Sequence, residues 1–390
     1  MPTKCTDMEK INRKNFLKNF AVIAAGITAA PEVFATPTGF VSHQRPALLS
    51  KLDTSGKLIM LNANENPYGV PPKAQKAIIE SLATGNRYGF VDNTREKLRE
   101  KIAQKEGLSK EHILLSAGSS EVLGILGGYF GKDKGNMIFA LPTFWLLGEY
   151  AKNLGVEVVN VPVTKDKKHD LNAMLGKINR KTKLLQVCNP NNPTGTIVDA
   201  TELKNFCTEA SKKTAVFIDE AYIDFLPDRP TMAGLVADNQ NIIIGRTFSK
   251  VFGMAGLRIG YAIAHPKLVA EMEKFQQGGS ISVGTSSVAG AMAAMDDSEF
   301  INSFLEKNKA ARDFTMSQLK SLDIPYIPSY TNFVYFSLAK YPNDFVKEMA
   351  KYNVLVRMFA ENEEKWGRVS IGTMEEMQVF GEVIKKVWQS

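Results

Sequence analysis

The chain has 390 residues, 44% of them hydrophobic and 23% charged, enough to bury a large core and to form one large domain beside a smaller one. Its formal charge of +7 includes Lys4, Lys10, Arg13, Lys14 and Lys18, and elsewhere basic residues alternate with glutamates as on a solvated helix face, so no nucleic-acid partner is expected. Three cysteines (Cys5, Cys188 and Cys207) offer no disulfide framework, and with four scattered histidines they predict no metal site.

Residues 11–35 read as a targeting segment. A basic patch (Arg13, Lys14, Lys18) precedes the apolar run from Phe20 to Ala30, and Val33-Phe34-Ala35 places small residues at cleavage-like spacing. The run is too short to span a bilayer, so no membrane association is expected after processing. Residues 12–18 resemble a twin-arginine export signal, with Lys14 where the second arginine would stand. Export to the periplasm is the expectation; the alternative is an N-terminal helix of a cytoplasmic protein. The division expected is a signal segment over 1–35, an N-terminal arm joining the smaller domain over 36–75, a large domain over 76–289 and a small one over 290–390.

Residues 61–69 are polar and turn-rich. A helix is predicted from about Pro71, with Ala74, Ala77, Ile78 and Leu82 on one face, and a charged helix from about Asn93 to Lys105. Residues 113–121 read as strand, glycine turn and helix start. Such a junction leaves free amides at the positive end of a helix, a cradle for an anion to which Ser119 and Ser120 would add hydroxyls, or simply an N-cap. Residues 127–132 lack the glycine spacing of a nucleotide loop, and no dinucleotide fingerprint follows any strand.

A strand from Met137 opens into a loop with Phe144, whose ring either stacks on a planar ligand or packs beneath the loop. Residues 184–195 form a strand and a proline-pinned loop that aims the amide of Asn192. Asp199-Ala-Thr-Glu202 has the spacing of a capping box. The strand from Ala215 ends in Asp219, a carboxylate that burial obliges to find a partner, either a structural arginine or a protonated ring nitrogen. The apolar run Ile242–Ile244 then leads to Thr247, Ser249, Lys250 and Arg258. Burial and a neighbouring cation depress a lysine pKa and make its amine a nucleophile toward carbonyl carbon, which suggests Schiff-base chemistry at Lys250.

Strands near 113, 137, 184, 215 and 242 alternate with helices, the pattern of an α/β fold with a mostly parallel sheet, whose ligands gather at the carboxyl ends of the strands. Ser119, Phe144, Asn192, Asp219 and Lys250 all follow such ends. After about residue 290 a long helix (300–322), short strands at 332–336, 354–357 and 368–371 and a last helix to Trp388 indicate a smaller α+β domain. Its Arg357 and Arg368 flank apolar strands, and the arginine fork suits carboxylate or phosphate.

With these motifs in view, the sequence from Leu61 onward resembles the fold-type-I pyridoxal-phosphate aminotransferases, nearest the histidinol-phosphate group. The motifs are Asn-Ala-Asn-Glu-Asn-Pro-Tyr-Gly69, Asn-Pro-Asn-Asn-Pro-Thr-Gly195, Asp219-Glu-Ala-Tyr222, Thr247-Phe-Ser-Lys250 with Gly-Leu-Arg258, and Arg368-Val-Ser-Ile-Gly-Thr373. The resemblance implies that pyridoxal 5′-phosphate is held covalently by Lys250, which then carries the proton. Asp219 would sit on the ring nitrogen, Asn192 and Tyr222 on the ring oxygen, and Phe144 against the ring face. The phosphate would rest on Ser119, Ser120, Thr247, Ser249 and Arg258, with Tyr88 reaching it from a second subunit of a homodimer. Arg368 would take the substrate carboxylate, and Tyr68 and Arg357 a distal phosphate. Transamination between an amino acid or histidinol phosphate and a 2-oxo acid, 2-oxoglutarate, is the activity implied. A threonine-phosphate decarboxylase sharing the same frame, or a binding protein that keeps the cofactor without turnover, are the alternatives.

Overall fold

The computed structural model describes residues 57–88, 93–361 and 364–389; the proposed signal segment lies outside them. The short strand β1 (Ile59–Met60) is followed by helices α1 (Pro72–Ser81) and α2 (Thr94–Lys105). Then come β2 (Ile113–Ser116), α3 (Ser119–Gly131), β3 (Asn136–Leu141), α4 (Leu146–Asn153), β4 (Glu157–Pro162) and α5 (Leu171–Gly176). β5 (Thr182–Cys188), α6 (Ala200–Ser211), β6 (Ala215–Asp219), β7 (Ile242–Thr247) and β8 (Gly260–Ala264) complete a seven-stranded sheet of order β2-β8-β7-β6-β5-β3-β4.

The central strands of this sheet are apolar on both faces because both are covered. In β6, Val216 and Ile218 belong to one core cluster and Ala215 and Phe217 to another. In β7 the same division separates Ile242 and Ile244 from Ile243. This is the near-continuous hydrophobic run that a parallel sheet between helices requires, and each such side chain contributes about 1.5–3 kcal/mol on burial. The sheet is parallel except at β8, which pairs antiparallel with both β2 and β7. Two reversals leave β2 pointing the same way as β7, so the carboxyl ends of β2, β3, β5, β6 and β7 still share one edge.

Sequence periodicity had not separated β4 and β8 from their surroundings. It also placed Leu82 on the buried face of α1, whereas α1 ends at Ser81 and Leu82 opens a 3-10 turn with 66% exposure. The Asp199 cap is present: its Oδ1 accepts from the amides of Thr201 and Glu202 at 2.8 and 3.0 Å.

Beyond α7 (Pro266–Glu273) and α8 (Thr285–Ala294), the long helix α9 (Ser298–Ser321) leads to β9 (Tyr326–Ile327), β10 (Phe333–Ser337), α10 (Phe345–Ala350), β11 (Val354–Leu355), β12 (Arg357–Glu361), β13 (Glu364–Ser370) and α11 (Met374–Gln389). The antiparallel sheet β12-β13-β10-β9 forms a separate core with α11, in which Val334, Phe336, Val369 and Phe380 meet. Ile59 and Leu61 join that core, because β1 pairs in parallel with β11. The Leu61 carbonyl also accepts from the Ser370 amide at 2.8 Å. This pairing is what brings residues 62–66, distant in sequence, to the site.

Candidate active site

A cavity of about 380 Å³ opens at the carboxyl edge of the large sheet, and the turns that follow its strands line it. Twelve of the fourteen residues singled out in the sequence border it: Ser119, Ser120, Phe144, Asn192, Asp219 and Tyr222, then Thr247, Ser249, Lys250, Arg258, Arg357 and Arg368. Tyr68 and Tyr88 do not. Tyr68 packs edge-on against Phe304, with centroids 6.2 Å apart, under the Lys307 ammonium at 4.9 Å. Tyr88 is 72% exposed, and its carbonyl accepts from Arg95 Nη1 at 2.8 Å.

Lys250 follows β7. Its Nζ donates to the main-chain carbonyl of Asn64 at 3.1 Å and lies 5.6 Å from the Tyr222 ring centroid. Burial lowers its pKa to about 8, aided by Arg368 and, to a smaller degree, Arg258. The sequence named Arg258 as the depressing cation. The structure gives precedence to Arg368, which arrives from β13 and was invisible to a local reading.

Asp219, at the end of β6, is buried and accepts from the Ala221 amide at 3.1 Å. Burial raises its pKa to about 6, the Ala221 amide and Lys250 opposing the rise. No salt bridge reaches it among the described residues. The structural arginine considered as its partner is taken by the next residue: Arg246 Nη2 pairs with Glu220 at 2.7 Å and its Nη1 with Glu106 at 2.7 Å. Asp219 is therefore a buried carboxylate facing the cavity with its charge uncompensated by arginine, as a protonated ring nitrogen would require.

The anion cradle expected at the start of α3 centres on Gly118. This residue has φ 79°, and it caps α3 with no side-chain hydrogen bond, so the first amides of the helix stay available. A Cβ here would strike the guanidinium of Arg258, which itself stands in the left-handed region at φ 49° and donates to the Ala255 carbonyl at 2.9 Å. Thr247 Oγ1 donates to Ser249 Oγ at 2.9 Å beside it. The α3 start, the four hydroxyls of Ser119, Ser120, Thr247 and Ser249 and the Arg258 guanidinium thus border the same cavity, a donor set suited to an anion.

Arg368 is buried between the rings of Phe333 and Phe359, 5.3 and 5.4 Å from their centroids. Its Nη1 donates to Asn192 Oδ1 at 2.6 Å and Nη2 to the Asn62 carbonyl at 3.2 Å, while Nε has no partner among the described residues. Burial lowers its pKa to about 10, and Arg357 adds to the effect. Arg357 faces it directly across the β12–β13 ladder. Like charges opposed in this way are unfavourable until an anion lies between or beside them.

Several lining residues carried no role in the sequence reading. Asn64 and Glu65 stand within a quoted motif, Thr143 and Trp145 flank Phe144, Cys188 ends β5 and Phe359 lies on β12. Beneath the Asn192 loop, buried His169 places Nε2 2.9 Å from the Cys188 carbonyl, and burial pushes its pKa down to about 4. A neutral imidazole donating to a carbonyl is a support for the loop; nothing local in the sequence marked it.

An α/β sheet that presents a buried amine, an arginine-free carboxylate and an anion cradle at one edge defines an enzyme that works through a carbonyl cofactor bearing a phosphate. The sequence profile of the aminotransferase class I and II family matches residues 56–384, and the chain belongs to that family. It is 34% identical to the histidinol-phosphate aminotransferase of Brevibacillus brevis strain 47, over 85% of this chain and 90% of that protein. A crystal structure from Erwinia carotovora atroseptica SCRI1043, provisionally assigned as a histidinol-phosphate aminotransferase, superposes with a TM-score of 0.79 at 32% identity, over 85% of this chain and 97% of that one. The Sinorhizobium meliloti histidinol-phosphate aminotransferase, solved with pyridoxal 5′-phosphate, shares the fold at TM-score 0.81 and 24% identity, over 92% and 97% of the two chains.

Proposed function

We propose that this chain is a pyridoxal-phosphate-dependent transaminase that moves an amino group from histidinol phosphate, or an amino donor of similar anionic character, to 2-oxoglutarate. The carrying observation is that Lys250, Asp219 and the Gly118 cradle border one cavity, the amine with a pKa near 8 and the carboxylate with no arginine beside it. The names of the relatives support the substrate.

Pyridoxal phosphate, when bound, supplies an aldehyde and an electron-accepting ring. Ser119, Ser120, Thr247, Ser249 and Arg258 would hold its phosphate. Asp219 would keep a proton on the ring nitrogen, and the match of this buried lining carboxylate, which no arginine pairs among the described residues, to that need is the test of fit. Tyr222 would donate to the ring oxygen, as would Asn192, whose Oδ1 is already engaged by Arg368 and whose Nδ2 is left for the ring. Phe144, which lines the cavity, would lie against the ring. Lys250 would hold the cofactor through its amine and, when free of it, would take the proton from the substrate α-carbon as general base. Arg368 would grip the α-carboxylate as a fork, and Arg357 would attract the distal anion.

The same reading includes a homodimer in which Tyr88 serves the neighbouring subunit's phosphate, and export directed by residues 11–35. Comparing the N-terminus of the protein in fractionated cells with the coded one tests export: a cleaved periplasmic form is expected, and an intact cytosolic form contradicts it. For the reaction, purified protein loaded with pyridoxal phosphate is given histidinol phosphate with and without 2-oxoglutarate, and threonine phosphate separately. Glutamate formation that requires 2-oxoglutarate is expected. Release of carbon dioxide from threonine phosphate without glutamate would overturn transamination in favour of the lyase.

A further inference from the structure

Asn64 is buried in the wall of the cavity and stands in the left-handed region at φ 54°, a conformation asparagine tolerates better than most residues. That conformation turns its carbonyl toward Lys250, whose Nζ donates to it at 3.1 Å. Its side chain reaches the other way. Asn64 Nδ2 donates to the Tyr222 hydroxyl at 3.0 Å, while Oδ1 accepts from Ser370 Oγ at 2.7 Å. Ser370 Oγ in turn accepts from the Asn64 amide at 2.8 Å, closing a two-bond clamp between the 62–66 segment and β13.

The orientation of the amide follows from this clamp. Ser370 Oγ already accepts the Asn64 N–H, so its own proton needs an acceptor, and Oδ1 is the one present among the described residues. With Oδ1 so engaged, Nδ2 faces Tyr222. The tyrosine oxygen then accepts from Asn64, and its single proton is directed elsewhere, toward the cavity. Ser370 stands two residues beyond Arg368 on the same strand, so the clamp also ties the lysine and the tyrosine to the element that bears the carboxylate-gripping arginine.

We propose that Asn64, clamped by Ser370, is a positioning residue that makes Tyr222 a hydrogen-bond donor into the cofactor cavity and holds the Lys250 amine in register with Arg368. This rests on the transaminase reading above. Without the clamp, the Tyr222 proton is free to turn away from the ring oxygen. A ring oxygen that has lost a donor is less stabilised as an anion and holds the proton of the neighbouring lysine–cofactor linkage more tightly.

The test is a spectrophotometric pH titration of that linkage in the holoenzyme for wild type, Asn64→Gly, Ser370→Ala and Ser370→Thr, with thermal melting beside it. Glycine at position 64 keeps the left-handed backbone while deleting the amide. Ser370→Ala deletes the clamp without touching Lys250 or Tyr222, and it decides the matter should Asn64→Gly fail to fold. Asn64→Gly and Ser370→Ala are expected to raise the titration midpoint by roughly half to one pH unit, and Ser370→Thr, which keeps the hydroxyl, to restore it. Midpoints equal to wild type in both deletions, with only melting temperature lowered, would reduce Asn64 to a structural role and overturn the proposal. A wild-type protein with no visible titrating band would instead defeat the underlying reading of Lys250.

Discussion

Burial favours the neutral form of both Lys250 and Asp219, and the two consequences differ. At pH 7 an amine with a pKa of about 8 is roughly one-tenth free, against about one part in three thousand at the ordinary 10.5. Capture of pyridoxal phosphate is therefore expected to rise with pH and level off just above 8; a rate still climbing tenfold per unit at pH 9.5 would contradict the depressed lysine. For Asp219 the folded value of about 6 lies above the ordinary 3.8, so the folded chain binds the proton more tightly than the unfolded one. Its contribution to stability is greatest below pH 4, falls as pH rises through 4 to 6, and stays low above, a change on the order of 3 kcal/mol. Asp219→Asn should thus melt a few degrees higher than wild type in the cofactor-free protein at pH 8, the difference fading near pH 4, while losing activity. Equal melting at pH 8 would show that the carboxylate is compensated. Asp219 was legible because it ends an apolar run and is itself polar, and Lys250 because a hydroxyl-bearing turn after the run Ile242–Ile244 delivers it. Asn64 was not assigned a role, because its partners Tyr222, Lys250 and Ser370 lie 158 to 306 positions away.

At the scale of elements, the start of α3 and the strand β7 make separate demands. The α3 start needs a residue without Cβ at Gly118, since a side chain there would meet the Arg258 guanidinium at a φ of 79°. Gly118→Val is expected to weaken pyridoxal-phosphate binding by at least about tenfold with the circular dichroism spectrum unchanged, a loss equivalent to one anion contact. Unchanged affinity in equilibrium dialysis would remove the cradle from the phosphate site. β7 carries Arg246 into a buried cluster with Glu106 and Glu220, all about 2% exposed. Breaking one side of such a pair costs about 3–5 kcal/mol, so Glu106→Ala should lower the urea midpoint sharply at constant slope. A drop under 1 kcal/mol would mean the remaining Glu220 compensates Arg246 alone. Strands with uniform apolar runs were readable as buried and parallel. β8 was hidden because it follows the lysine loop closely and pairs antiparallel, and β4 because Val161 alone of its residues is fully buried.

For the whole molecule, the large sheet supplies the lysine, the carboxylate and the cradle, and the smaller sheet supplies both arginines. The parallel pairing of β1 with β11 makes the 62–66 segment the link between them. That long-range assembly could not be read from periodicity, which reports only neighbours along the chain; the resemblance brought in Arg357 and Arg368 but gave residues 62–66 no role. Ile79, Leu82 and Tyr88 are 67%, 66% and 72% exposed within ten residues of sequence, a surface suited to the proposed second subunit. A homodimer predicts a mass of twice 43.1 kDa, less any cleaved segment, by light scattering, and Leu82→Glu should release the monomer and loosen the cofactor together. A monomeric wild type that retains its cofactor would refute the shared site.

The account turns most directly on a covalent bond between one side chain and the cofactor. Purified protein is incubated with pyridoxal phosphate, reduced with borohydride, digested, and its peptides mapped by mass spectrometry. A single pyridoxyl adduct on Lys250, absent from Lys250→Ala, is the result predicted. An unlabelled protein, or labelling spread over surface lysines and undiminished in the variant, would contradict it.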